Sequence, residues 1–262
     1  MGDKIKALVL GDLVGQSGIR ALFVNLNALV KKYESQIVIL NGENADDGFG
    51  ITPDIANKLF TMGVDVITSG NHIWQKRAIN PLLEKDNRIL RPANYHKSVL
   101  GKGFRVVQKG PIKFGVLNLI GRVNLALVDC PFTVAKKIIN EQKKNCDLIL
   151  VDFHAESVAE KEALAFYLDG EVAALWGTHT HVQTHDERIL PKGSAYISDI
   201  GMIGPSSSVI GSDPEISLQR MITQMPLKSQ VLETEAIICG ASITIDKATK
   251  KAISIEPFCL KE

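Results

Sequence analysis

The sequence predicts an α/β fold whose strands are largely parallel and covered by helices, with a β-rich C-terminal part. Three observations predict it. Short apolar runs alternate with helical stripes from Ile5 to Trp176, several of those runs are apolar at nearly every position, and the segment from Ala236 onward turns β-rich. Strands buried on both faces read as continuous apolar runs, and their alternation with helices is the signature of a parallel sheet.

Taken in order, Ile5 to Leu10 is the first strand and ends in Gly11-Asp12. Ile19, Leu22, Phe23, Leu26, Leu29, Val30 and Tyr33 then recur at helical spacing, with Ser17 placed as an N-cap. Ile37 to Leu40 is the second strand. Thr52-Pro53 reads as an N-cap followed by proline at the first helical position, and Ile55, Leu59 and Met62 carry that helix onward. Val64 to Thr68, Phe114 to Leu119, Leu148 to Phe153 and Val172 to Trp176 are further strands, with helices over Ala135 to Lys144 and Glu160 to Leu168 between them. Ala236 to Ile245 and Ala252 to Ile255 flank the polar stretch Asp246 to Lys251 and predict a hairpin. Gly204 to Ser212 reads as a surface loop. No repeat or long linker divides the chain, so residues 1–262 are expected to form one domain.

With 45% apolar and 23% charged residues over 262 positions, the composition excludes disordered, collagen-like and coiled-coil chains. A chain of this length buries a core without metal or disulfide staples, so any metal site would serve function. Thirty basic residues against twenty-nine acidic give a formal charge of +1, leaving no global field for duplex nucleic acid or a membrane surface. The N-terminal apolar run stops at Gly11-Asp12, well short of a signal-peptide core or a membrane span. Cys130, Cys146, Cys239 and Cys259 are far apart and form no CxxC pair, which points to a reduced, cytoplasmic setting.

The polar residues collect where the predicted strands end: Gly11-Asp12, Asn41-Gly42-Glu43-Asn44, Ser69-Gly70-Asn71-His72, Asp152-Phe153-His154 and Gly177-Thr178-His179-Thr180-His181. In open α/β sheets those ends line one crevice. Singly, each residue has an ordinary structural explanation as a cap, a turn residue or a core histidine. Together they do not, because His72, His154, His179 and His181 are four of only six histidines and all fall in these motifs. An i, i+2 pair in extended chain would point His179 and His181 to the same side. Carboxylate, carboxamide and imidazole without thiolate suit iron, manganese or zinc in a hydrolytic site. Asp12, Glu43, Asn44, Asn71, His154, His179 and His181 supply the seven ligands that two ions need.

The order GD, NGEN, GNH, FHAE and GTHTH resembles the calcineurin-like metallophosphoesterases, and within them the YmdB-type branch of small bacterial phosphodiesterases. Asn41 to Thr52, Gly63 to Trp74, Leu90 to Tyr95, Val151 to Glu156, Gly177 to Thr184 and Ser198 to Gly204 are similar to that branch. The resemblance implies a two-sheet β-sandwich flanked by helices (αββα) with a binuclear site, two divalent or mixed-valence ions, iron first and manganese or zinc as alternatives. It implies hydrolysis of phosphodiesters, cyclic nucleotides included, by a hydroxide bridging the ions. It puts Asp12, Glu43 and His181 on one ion and Glu43, Asn44, Asn71, His154 and His179 on the other, with Glu43 bridging and His72 as proton donor. Val14 stands where the wider superfamily has a histidine, so the first ion is expected to bind more weakly.

Arg91 and Arg122 are candidate phosphate contacts, with structural ion pairs as the alternative. Rival readings of the same site are a phosphomonoesterase or single-strand nuclease, and a metal–nucleotide sensor acting through a regulatory protein partner. A small phosphodiester is the expected substrate, with no membrane and no strong duplex binding, and a homo-oligomer is compatible with the sequence.

Overall fold

A computed structural model of the chain describes residues 3–261. Its strands are β1 (Lys4–Val14), β2 (Ile37–Asn44), β3 (Val66–Thr68), β4 (Phe104–Lys109), β5 (Ile112–Ile120), β6 (Leu148–His154), β7 (Ala174–Thr178), β8 (Arg188–Ile189), β9 (Ala195–Ile197), β10 (Met202–Pro205), β11 (Ala236–Asp246) and β12 (Ala252–Lys261). The α-helices are α1 (Gly15–Tyr33), α2 (Pro53–Met62), α3 (Asn80–Lys85), α4 (Pro131–Gln142), α5 (Val158–Leu168) and α6 (Pro214–Thr223).

Two six-stranded sheets form, in the orders β12-β11-β10-β1-β2-β3 and β4-β5-β6-β7-β9-β8. β1, β2 and β3 run parallel, as do β5, β6, β7 and β9, while the β11–β12 hairpin adds antiparallel strands to the first sheet. Period-two alternation sorts the side chains into layers. Ala7 and Val9 face the core between the sheets, with Phe114, Val116, Leu150 and Trp176 from the second sheet. Leu8 and Leu10 face outward and pack under α1 and α2 with Leu22, Leu26 and Leu59. Leu119, Val151 and Phe153 pack on their own outer face against Ile139 of α4 and Leu164 of α5. The fold is therefore the α/β two-sheet sandwich flanked by helices that the sequence predicts. Among the described residues no helix is long and apolar enough to cross a membrane.

Local signals act as read at α2, where the Thr52 side chain accepts from the Ile55 amide and Gly63 closes the helix at φ 111°. Ser17 differs. The chain passes from β1 straight into α1 with Val14 at the cap position, so Ser17 falls in the first turn and its hydroxyl donates to Leu232 O at 3.4 Å. Gly204 to Ser212 is not wholly loop, because Gly204 and Pro205 belong to β10, which pairs with β1 and β11. The expectation of four separate reduced cysteines is also corrected. Cys239 and Cys259 lie directly opposite each other on β11 and β12 and form a disulfide, leaving Cys130 and Cys146 free. Twenty residues separate them in sequence, and only the hairpin register makes them neighbours.

Candidate active site and metal centre

Both sheets end their parallel strands at one crevice, and each predicted motif arrives on a different strand. β1 delivers Asp12 between two register shifts against β2, which re-aim its side chain. β2 ends with Glu43 and Asn44, both buried. After β3 the chain turns at Gly70, where an added Cβ would stand 2.3 Å from both Glu43 Oε2 and His154 Nε2. Only glycine lets this backbone approach so closely, and Asn71 and His72 follow from it. His72 N donates to Glu43 Oε2 at 3.2 Å. β6 ends with His154 and β7 with Thr178.

His179 and His181 do not continue in extended chain. Both take left-handed backbone, φ 103° and 65°, because Asp12 Oδ2 accepts from His179 N at 3.0 Å and Asp199 Oδ2 accepts from Thr180 N at 3.1 Å. Asp199 is itself held by the buried Lys161 ammonium at 2.9 Å. The two imidazoles accordingly find different neighbours. His179 Nδ1 lies 3.1 Å from His154 Nε2, whereas His181 Nε2 lies 3.9 Å from Asp12 Oδ1 and 2.9 Å from Asn44 Nδ2.

Each of these histidines has one ring nitrogen facing an outer oxygen, which turns the other toward the crevice. His181 Nδ1 lies 2.8 Å from Ile210 O, a carbonyl that can only accept. His179 Nε2 lies 3.2 Å from the Glu156 carboxylate. His154 Nδ1 lies 3.0 Å from Thr178 Oγ1, whose own proton goes to Asp152 Oδ1 at 2.8 Å. Outer-oxygen tethers of this kind set the tautomer of metal-binding imidazoles.

Asp12 Oδ1, Glu43 Oε1 and Asn71 Oδ1 are buried with no hydrogen-bond donor. His154 Nε2 stands 2.9 Å from Glu43 Oε1 without hydrogen-bond alignment. The ligand atoms of Glu43, His154 and His179 lie within 4.8 Å of one another. Unpaired buried acceptors cost roughly 1–3 kcal/mol each, and more when charged, so the Asp12 and Glu43 oxygens, 3.8 Å and 2.9 Å from the His154 ring nitrogens, call for a cation. The residues present fit divalent metal ions.

Protonation agrees with that fit. Burial would raise the Glu43 carboxyl, but His154 and His72 outweigh it and bring it down to about 2, so it stays ionised. Burial and the adjacent His154 push His179 down to about 3, the neutral ligand form. His154 behaves oppositely: burial alone would lower it, yet Glu43, Asp12 and Asp152 together raise it to about 9. A proton there substitutes for a cation. Burial raises Asp12, with His181 and His154 acting against it.

A model of YmdB-like proteins matches residues 8–258. The chain belongs to the YmdB-like family. It is 41% identical over 258 residues to the 2′,3′-cyclic-nucleotide 2′-phosphodiesterase of Bacillus subtilis (strain 168), covering 98% of each chain. Among solved structures it is similar to a novel phosphatase of Mycoplasma pneumoniae (TM-score 0.94, 37% identity, 100% of this chain and 95% of that one). It also matches a hypothetical protein from Thermus thermophilus (TM-score 0.93, 34% identity, 98% and 100%).

Within this YmdB-like crevice the remaining predicted residues divide. Asn44 spans two histidines, its Nδ2 on His181 and its Oδ1 2.8 Å from His72 Nδ1. His72 is half-buried, 3.4 Å from Glu43 Oε1, and lines a cavity of about 200 Å³ with Glu43, Asn44, His179 and His181. Val14 lines the same cavity. Arg91 is buried and spends its guanidinium on Pro92 O and Ala93 O, so it is structural, and Arg122 does not line this cavity. Arg220 of α6 does line it. Sequence reasoning passed over Arg220 because α6 exposes Leu218, Met221 and Ile222 and shows no core-facing apolar stripe. Thr178, Glu156 and the Ile210 carbonyl were missed too. Thr178 and Glu156 lie inside quoted motifs, whereas a backbone carbonyl leaves no trace in sequence.

Proposed function

We propose that this chain is a binuclear, metal-dependent phosphodiesterase acting on small diesters, cyclic nucleotides among them. It is a phosphoester hydrolase of the metallophosphoesterase type, and its relatives are named as a phosphodiesterase and a phosphatase. The observation that carries this reading is the placement of Asp12 Oδ1 and Glu43 Oε1, buried without donors, around His154, with the His179 and His181 rings beside them. Asp12, Glu43 and His181 would hold one ion, and Glu43, Asn71, His154 and His179 the other. The donor set suits iron, manganese or zinc, and the family resemblance puts iron first. Such a pair supplies a water of lowered pKa and neutralises charge on the phosphate.

The chain's own residues do the rest. Glu43 stays ionised between the two ligand groups and holds their separation. Arg220, on the cavity wall, binds non-bridging phosphate oxygens with its guanidinium. His72 donates a proton to the leaving oxygen from Nε2, with Nδ1 anchored on Asn44 Oδ1. Burial lowers the His72 pKa, with Glu43 opposing, so its acid form is depleted early as pH rises. A general acid is worth about 10²–10⁴-fold in rate.

His72→Ala should therefore keep its metal and lose turnover, more for a nucleoside alkoxide leaving group than for p-nitrophenolate, which needs little protonation. Loss of an ion, or equal slowing of both substrates, would remove His72 from that role. A phosphomonoesterase is the second reading, favoured by the phosphatase named from Mycoplasma pneumoniae. Comparing bis-p-nitrophenyl phosphate with p-nitrophenyl phosphate decides between them, the diester being the faster on our reading.

A further inference from the structure

Phe49 is 42% exposed, yet the loop that carries it is firmly built. Gly48 N donates to Asn44 O at 3.2 Å, Phe49 N to Asp46 O at 3.1 Å and Asp46 N to Gly50 O at 2.9 Å. Gly48 and Gly50 hold φ of 81° and 79°, backbone that side-chain-bearing residues rarely adopt, and a Cβ at Gly48 would strike Val231. The ring is thus presented outward by a fixed turn that springs directly from the predicted ligands Glu43 and Asn44. It stands edge-on to His72, with ring centroids 5.1 Å apart and planes at 65°.

Phe49 also belongs to the wall shared by two cavities. One is the catalytic cavity of about 200 Å³. The other, about 630 Å³, is lined by Lys76, Lys228, Ser229, Gln230 and Val231 beside Phe49. The first is too small for a whole nucleotide, since sites for small organic ligands run to about 300–1,000 Å³. The second has that size and offers hydroxyl, carboxamide and ammonium groups beyond the aromatic face, together with the carboxylates of Asp47 and Glu233, the Lys76 ammonium being paired with Asp46 at 2.8 Å.

We infer that Phe49 is a stacking platform for a nucleobase, which lies in the larger cavity while the phosphodiester occupies the catalytic one. This rests on the phosphodiesterase reading above and adds to it the place where the base of a nucleotide would lie. An aliphatic diester would leave the ring bare in water. A base covers it, and a platform already fixed loses little freedom on binding. Any base can stack, so the platform selects for an aromatic ring and not for one base; the polar groups beyond it would set any further preference.

Calorimetry on the metal-loaded protein with adenosine 2′-monophosphate and with ribose 5-phosphate tests this without requiring turnover. Wild type should bind the nucleotide more tightly than the sugar phosphate, and Phe49→Leu should narrow that gap by about 5- to 150-fold. Phe49→Trp should preserve it, which separates loss of stacking from disturbance of the loop. An unchanged gap in Phe49→Leu, or no gap in wild type, overturns the platform. If the gap depends on Phe49 but wild type hydrolyses neither adenosine 2′,3′-cyclic phosphate nor glycerol 1,2-cyclic phosphate, the subsite stands and the catalytic reading falls.

Discussion

His154 shows most plainly what each atom of the site is for. Its Nδ1 is committed to Thr178 Oγ1, which passes its own proton to Asp152, and this leaves Nε2 aimed at Glu43. Thr178→Val keeps the shape of the side chain and removes the tether, so metal affinity should fall by about 10–100-fold, with a lower Tm because buried Asp152 Oδ1 loses its donor. Metal titration followed by calorimetry reads this, and unchanged affinity would remove Thr178 from the ligand shell. The raised pKa of His154, about 9, sets a second expectation. In demetallated protein its charged form stabilises the fold fully below its unfolded value of about 6.5, and that contribution is lost as pH rises through about 9. Below about pH 9, metal uptake must displace this proton, so affinity should climb with pH over that range. Calorimetry in buffers of different ionisation enthalpy should show about one proton released per ion pair bound at pH 7. Uptake with no proton release would contradict the account of His154.

Among the elements, α2 is the cleanest case of local sequence deciding local structure. Thr52→Ala removes the side-chain acceptor for Ile55 N and should cost about 1 kcal/mol, seen as a lower Tm with metal content unchanged. The apolar strands were equally legible, because a run buried on both faces leaves few alternatives. Their ends were not. β1 and β2 extend through Asp12 and Asn44, polar residues that sequence patterning assigns to loops, and they remain in the ladder because their polar atoms face the crevice. β4 escaped notice because its half-buried FRVVQK stretch at a sheet edge has no clear apolar face, and β8 and β9 because strands of two and three residues are set by tertiary pairing. The motif residues of the site could be read from their chemistry. Their outer partners, and the turn that sends His179 and His181 to different neighbours, depend on contacts such as Asp12 to His179 N, 167 residues apart.

At the scale of the whole molecule, two sheets share one apolar core and bring the carboxyl ends of β1, β2, β3, β6 and β7 to a single edge, so the proposed ligands, spread from Asp12 to His181, need no dedicated metal-binding segment. A rigid sandwich holds the acceptors together even though their mutual repulsion opposes folding, and cations that relieve it should stabilise the folded state by mass action. The two halves of the site are not equal. Val14 offers no ligand on the Asp12–His181 side, so that ion should be the weaker bound. The most direct test is anaerobic titration of demetallated protein with ferrous iron or manganese, following bound metal per chain together with hydrolysis of bis-p-nitrophenyl phosphate. The account predicts no hydrolysis without metal, two unequal affinities, and a plateau in activity only as the second, weaker ion fills. Full activity in thoroughly demetallated protein, or a plateau at one ion per chain, would contradict it.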